Sequence, residues 1–91
     1  MWQTQEKDDY TFVFNEQDGV VIRLDKDLEI PYLINALIQV LQLEGTEEDM
    51  YYINIKPSCT ILITKENARQ LLNILFPKYR NFCFDGLNSL Q

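Results

Sequence analysis

The chain has 91 residues, 46% of them apolar, and a formal net charge of −6, which bounds it to one domain with one core and excludes intrinsic disorder. It contains no histidine, so the commonest general base, the usual metal ligand and the Ser-His and Cys-His nucleophile pairs are excluded as well. Three glycines in the whole chain leave no Gly-rich phosphate loop.

Residues 1–9 are polar apart from Met1 and Trp2. They read as a flexible N-terminal segment, and they lack the basic start and apolar run of a secretory signal. Residues 10–91 read as a single α+β domain. From Tyr10 the pattern alternates: Phe12 and Phe14 alternate with Thr11, Val13 and Asn15, then Val20, Ile22 and Leu24 alternate with Val21, Arg23 and Asp25. Between the runs, Glu16-Gln17-Asp18-Gly19 carries the Asp-Gly signal for chain reversal, so 10–15 and 20–25 form a β-hairpin.

A helix over 31–43 follows. Ile30, Leu33, Ile34, Leu37, Ile38 and Leu41 recur at three- and four-residue steps and share one face. Asp25, Asp27 and Glu29 stand where carboxylates favour the positive end of the helix dipole, Pro31 fits the first turn, and Gly45 is placed to end the helix.

The second half repeats the scheme with strands over 51–56 and 59–64, joined by Pro57-Ser58. Thr64 then caps a helix over 65–76 whose Ala68, Leu71, Leu72 and Leu75 form a stripe ending before Pro77. The fold class that follows is α+β, a single domain of ββαββα pattern. Its antiparallel sheet carries two helices on one face, and the pattern admits a short fifth strand near the C-terminus at Phe82-Cys83-Phe84.

Few residues carry chemistry. Cys59 alternates with Ile61 and Ile63, and Cys83 sits between two phenylalanines, so both read as reduced apolar-environment thiols. Asp25-Lys26-Asp27-Leu28-Glu29 opens like a calcium loop, but Ile30 and Ala36 stand where that loop needs Gly and Glu. Lys78-Tyr79-Arg80-Asn81-Phe82 interleaves bases and aromatics, yet two bases are a thin footprint for nucleic acid on an acidic chain. No catalytic residue, metal site or cofactor follows.

The most apolar run, Ile30 to Leu43, is fourteen residues long and broken by Pro31, Asn35, Gln39 and Gln42, too short to span a bilayer. The expected location is cytoplasmic, without a membrane partner.

Charge is divided along the chain: residues 1–50 hold twelve carboxylates against three bases, and residues 51–91 hold two carboxylates against five bases. Such a division speaks to field and partners rather than to reaction. Between Glu29 and Glu44 there is no charge at all. The helix face opposite the leucine stripe therefore shows Tyr32, Asn35, Ala36, Gln39 and Gln42, where solvated helices normally carry Lys and Glu. The sheet positions Val13, Val21, Tyr52 and Leu62, opposite the expected core, form a second weakly polar surface.

These features point to a small acidic non-enzymatic protein-protein interaction domain, an adaptor, regulator or inhibitor. Tyr32, Asn35, Gln39 and Gln42 would make contact, and Glu47, Glu48 and Asp49 would steer a basic protein surface, or the partner would be a second copy of the chain. Two other classes fit the composition: an acidic mimic of nucleic acid that blocks a basic groove, and a small-ligand sensor or enzyme subunit with a pocket between sheet and helices.

Overall fold

The computed structural model describes the backbone of residues 1–89 and the side chains of residues 1–79. Its first sheet is antiparallel, β1 (Trp2–Glu6), β2 (Tyr10–Asn15) and β3 (Val20–Asp25), in the order β1-β2-β3. The N-terminal segment expected to be flexible thus contributes a strand. Trp2 pairs with Asn15, and its ring is 2% exposed, so this large apolar group anchors the strand.

The face of this sheet is opposite to the expected one at β2. The Glu16–Gly19 loop sets Asn15 against Val20 and hence Val13 against Ile22 and Thr11 against Leu24. Cross-strand partners share a face and the side-chain period is two. Val13 is therefore in the core at 0% exposure with Thr11 beside it, while Phe12 and Phe14 go to the outer face, half-buried. Val13 leaves the outer surface proposed for it; Val21 stays there. The polar Asn15 is tolerated inside because it works in the turn, donating to Asp18 Oδ2 at 3.1 Å and accepting from the Gln17 amide at 3.1 Å. Gly19 supplies the left-handed residue, φ 67°.

Helix α1 (Glu29–Gln42) buries Ile30, Leu33, Ile34, Leu37 and Val40. Its start is held by a reciprocal cap. Asp25 Oδ1 accepts from the amides of Leu28 (2.7 Å) and Glu29 (3.1 Å), and Glu29 Oε1 accepts from the Asp25 amide at 2.9 Å. The Leu28 and Glu29 amides, bonded to its charged form, hold the Asp25 carboxyl below its ordinary value against a smaller opposing effect of desolvation. The helix ends by Leu43 turning extended, ψ 146°, rather than at Gly45. Gly45 lies two residues further on at φ 151°, where a Cβ would strike Asp49 and come within 2.8 Å of the Tyr51 hydroxyl.

Strands β4 (Met50–Lys56) and β5 (Cys59–Thr64) form a separate antiparallel sheet, so the single sheet expected is two. Pro57 and Ser58 make the connecting turn, with Ser58 left-handed at φ 63°, the position that a type II turn places after proline. Such a turn splays its strands, and the register slips between Asn54 and Lys56.

Helix α2 (Lys65–Ser89) is capped by Thr64, whose Oγ1 accepts from the Asn67 amide at 3.1 Å. It does not stop before Pro77. Proline removes one amide from the ladder, but its fixed φ is helical, and the next turn buries Tyr79 beneath β1 and β2, where it bonds Thr11 and Glu6. The helix runs through Phe82-Cys83-Phe84, so no strand forms there; the fifth strand is β1. The Cys83 side chain lies outside those described, and Cys59 is a half-buried free thiol.

The core runs through both halves, from Trp2, Val13 and Leu24 through Leu33 and Leu37 to Ile53, Ile63, Leu71 and Leu75. Helices α1 and α2 pack on each other, α1 against β3 and β4, α2 against β1 and β5. Lys56 ties the halves together: its Nζ donates to the Arg23 carbonyl at 2.9 Å and pairs with Glu29 at 3.4 Å. Among the described residues no helix is long and apolar enough to cross a membrane.

Candidate docking groove

The uncharged face of α1 is largely turned away from the core, with Ala36 packed against the core cluster. Tyr32 is 54% exposed, Gln39, Gln42 and Leu43 are exposed, and Asn35 and Ala36 are half-buried at its edges. Beside it runs β4, which among the described residues has a hydrogen-bonding neighbour, β5, on one side only.

Between the two elements lie two adjoining cavities. The first, about 320 Å³, is bounded by Tyr32, Ala36, Gln39, Val40 and Leu43 on the helix and by Tyr51 to Asn54 on the strand. The second, about 450 Å³, is bounded by Leu28, Glu29, Pro31, Tyr32 and Asn35 on the helix side and by Ile55, Lys56 and Pro57 on the strand side.

Consecutive strand residues point to opposite faces. A cavity lined by four in a row, with no β5 residue among its walls, therefore lies along the open backbone edge of β4. Tyr32 borders both cavities and divides the groove in two. The helix runs antiparallel to the strand, since Asn35 faces the Ile55–Pro57 end and Leu43 the Tyr51 end.

The groove offers phenol, amide and alkyl surface. Its charged members, Glu29 and Lys56, are paired with each other. Among the described residues no three His, Cys, Asp or Glu side chains gather as a metal cluster.

The structure brings Tyr32, Asn35 and Gln39 into the groove walls; Gln42 is exposed but lines neither cavity. The acidic loop lies at the end of the groove, just before β4, and two of its three carboxylates have local work. Glu47 pairs with Arg69, which holds its carboxyl low, opposed by partial desolvation and helped by the charges of Arg69 and Lys65. Asp49 Oδ2 accepts from the Thr46 amide at 2.9 Å. The backbone of this loop also receives the first amides of α2, Lys65 N to Asp49 O and Glu66 N to Glu47 O, both at 3.0 Å. Glu48 is exposed.

Of the basic-aromatic run within α2, Lys78 Nζ donates to Thr4 Oγ1 at 3.3 Å and Tyr79 is buried.

Leu28, Tyr51 and Pro57 enter the site without having been singled out, and Tyr52, expected on the weakly polar sheet surface, borders the groove as well. Tyr51-Tyr52 beside a charge-poor helix is a signal that could have marked them, but which strand edge stays open depends on tertiary packing. No family model, curated protein or solved structure matches this chain, so the groove is read from its own chemistry.

Proposed function

We propose that the protein is a small, non-enzymatic protein-protein interaction domain that docks through the groove between α1 and β4. The observation that carries this reading is the helix face itself. In a chain of net charge −6, a fourteen-residue helix whose outward face has no charged side chain except at its ends is costly in solubility unless another surface covers it. Next to it, Tyr52 at 77% and Leu28 at 74% exposure extend the same apolar surface.

Tyr32, Asn35 and Gln39 supply contact area and hydrogen bonds; Gln42 lies on the rim. Glu48, with Glu47 and Asp49 held beside it, gives the end of the groove a negative field that speeds encounter with a basic surface. Such a domain acts as an adaptor, regulator or inhibitor by occupying its partner's surface. The engagement of Asp18, Asp25, Glu47 and Asp49 in turns, caps and an ion pair favours this over mimicry of a phosphate backbone.

The test replaces Asn35 and Gln39 together by Lys and compares the proteins captured by tagged wild-type and variant chains in the native cell extract. Faster dissociation of captured proteins from a variant of unchanged circular dichroism is expected. An unchanged set of captured proteins, held equally long, would remove the groove from the account.

A further inference from the structure

We infer that the groove is a self-recognition surface: a second copy of the chain adds its β4 to the open edge of β4 about a two-fold axis. This rests on the docking reading above and names the occupant. The two sheets would then become one continuous β5-β4-β4-β5 sheet, with the α1 helices of the two copies packed side by side beneath it.

Three features make this edge fit its own copy. The first is parity. Antiparallel pairing centred on Ile53 sets Tyr51 against Ile55 and Tyr52 against Asn54 of the other copy. Tyr51, Ile53 and Ile55 all point inward and Tyr52 and Asn54 outward, so every cross-strand pair matches in face.

The second is the helix. Because α1 runs antiparallel to β4, the same two-fold axis brings the α1 stripes together antiparallel. Tyr32 then lies beside Leu43 of the other copy, and Ala36 beside Gln39. The small side chain at the centre allows close approach, and the bulky ones fill the ends.

The third is charge. Two chains of net charge −6 repel over most of their surface. The contact face carries only the Glu29–Lys56 pair, and pairing about Ile53 turns the Glu48-Asp49 end of one strand toward the Lys56 end of the other. The carboxylates that steer a basic surface stand at the end of the groove, whereas the α1 stripe of a second copy, uncharged from Ile30 to Leu43, meets no like charge where the two stripes face each other. Self-pairing also removes an exposed edge that no charged side chain guards, since the Lys56 ammonium is turned back onto Glu29 and the Arg23 carbonyl.

The experiment is sedimentation velocity on the full chain over a concentration series, with amide hydrogen exchange at both ends of the series. The inference expects a species of twice the 10.8 kDa chain mass and slower exchange of Tyr51–Lys56 amides at the high concentration. Gln39→Glu, which adds a like charge at the axis, should abolish both. Gln17→Glu adds the same charge in the exposed β2–β3 turn and should abolish neither. A monomer at every concentration up to about 1 mM, or a dimer that Gln39→Glu leaves intact with β4 amides unprotected, overturns the inference. The monomer result leaves docking of a different protein standing. The docking reading falls only if the Lys substitutions at Asn35 and Gln39 release nothing.

Discussion

The hydroxyl of Tyr79 donates to Glu6 Oε1 at 2.8 Å, joining α2 to β1 across 73 residues of sequence, and the same hydroxyl meets Thr11 Oγ1 on β2. Burial pushes the phenol above its ordinary value of 10.0; the Thr11 bond works against this, and the bond and charge of Glu6 add to it. A raised phenol pKa means the folded state holds its proton more tightly than the unfolded chain does. The associated stability is complete below about pH 10 and is lost as pH rises through the folded value. Tyr79→Phe should cost about 1–3 kcal/mol, because buried Thr11 loses its partner. Urea titrations should find that part of the stability lost by the wild type in alkali is missing from the variant.

Trp2→Ala should destabilise the protein by about 3–5 kcal/mol, the cost of emptying a large aromatic site in a core. A melting temperature close to wild type would mean that β1 adds little to the domain.

The Lys65 ammonium lies on the Leu43 carbonyl at the end of α1, where a cation favours the negative end of the helix dipole. Lys65→Met keeps the stem and removes this charged bond, so a loss of about 1.5–3 kcal/mol is expected. Chemical denaturation measures it. Because Leu43 also borders the groove, the variant should weaken docking as well.

Asp25→Ala removes the cap of α1 and should lower stability near neutral pH. Its effect on acid sensitivity separates capping from packing. The folded carboxyl lies below its ordinary 3.8, so the wild type gains stability above that value and loses it as pH falls through the folded value. The variant should lack this acid-induced step when denaturation midpoints are compared between about pH 2 and pH 7. A step of equal size in both proteins would assign the acid sensitivity to other carboxylates.

Much of this architecture is legible along the chain because local rules and tertiary packing agree. The Ile30, Leu33, Ile34 and Leu37 spacing marks α1, and Thr64 caps α2 as its position implies. The hidden parts depend on long-range partners. Trp2 is followed by a run of polar residues, and the pattern around it gives no period; its strand forms because Asn15 and the rest of β2 lie alongside. Phe12 and Phe14 carry more bulk than Thr11 and Val13, yet loop length, which sets register, decides the buried face. Pro77 marks a helix stop by propensity, and burial of Tyr79 outweighs it. For the site, the missing charge on α1 was visible in the residues, whereas the open edge of β4 needed the sheet order.

Hydroxyl-radical footprinting of the free and associated protein tests the central claim most directly, because Tyr32 and Tyr52 are both exposed, at 54% and 77%, and flank the groove. The account predicts that association protects Tyr32 and Tyr52 and leaves Val21, on the outer face of the first sheet, as reactive as before. Protection of Val21 with Tyr32 and Tyr52 unchanged would contradict it and move the docking surface to that sheet.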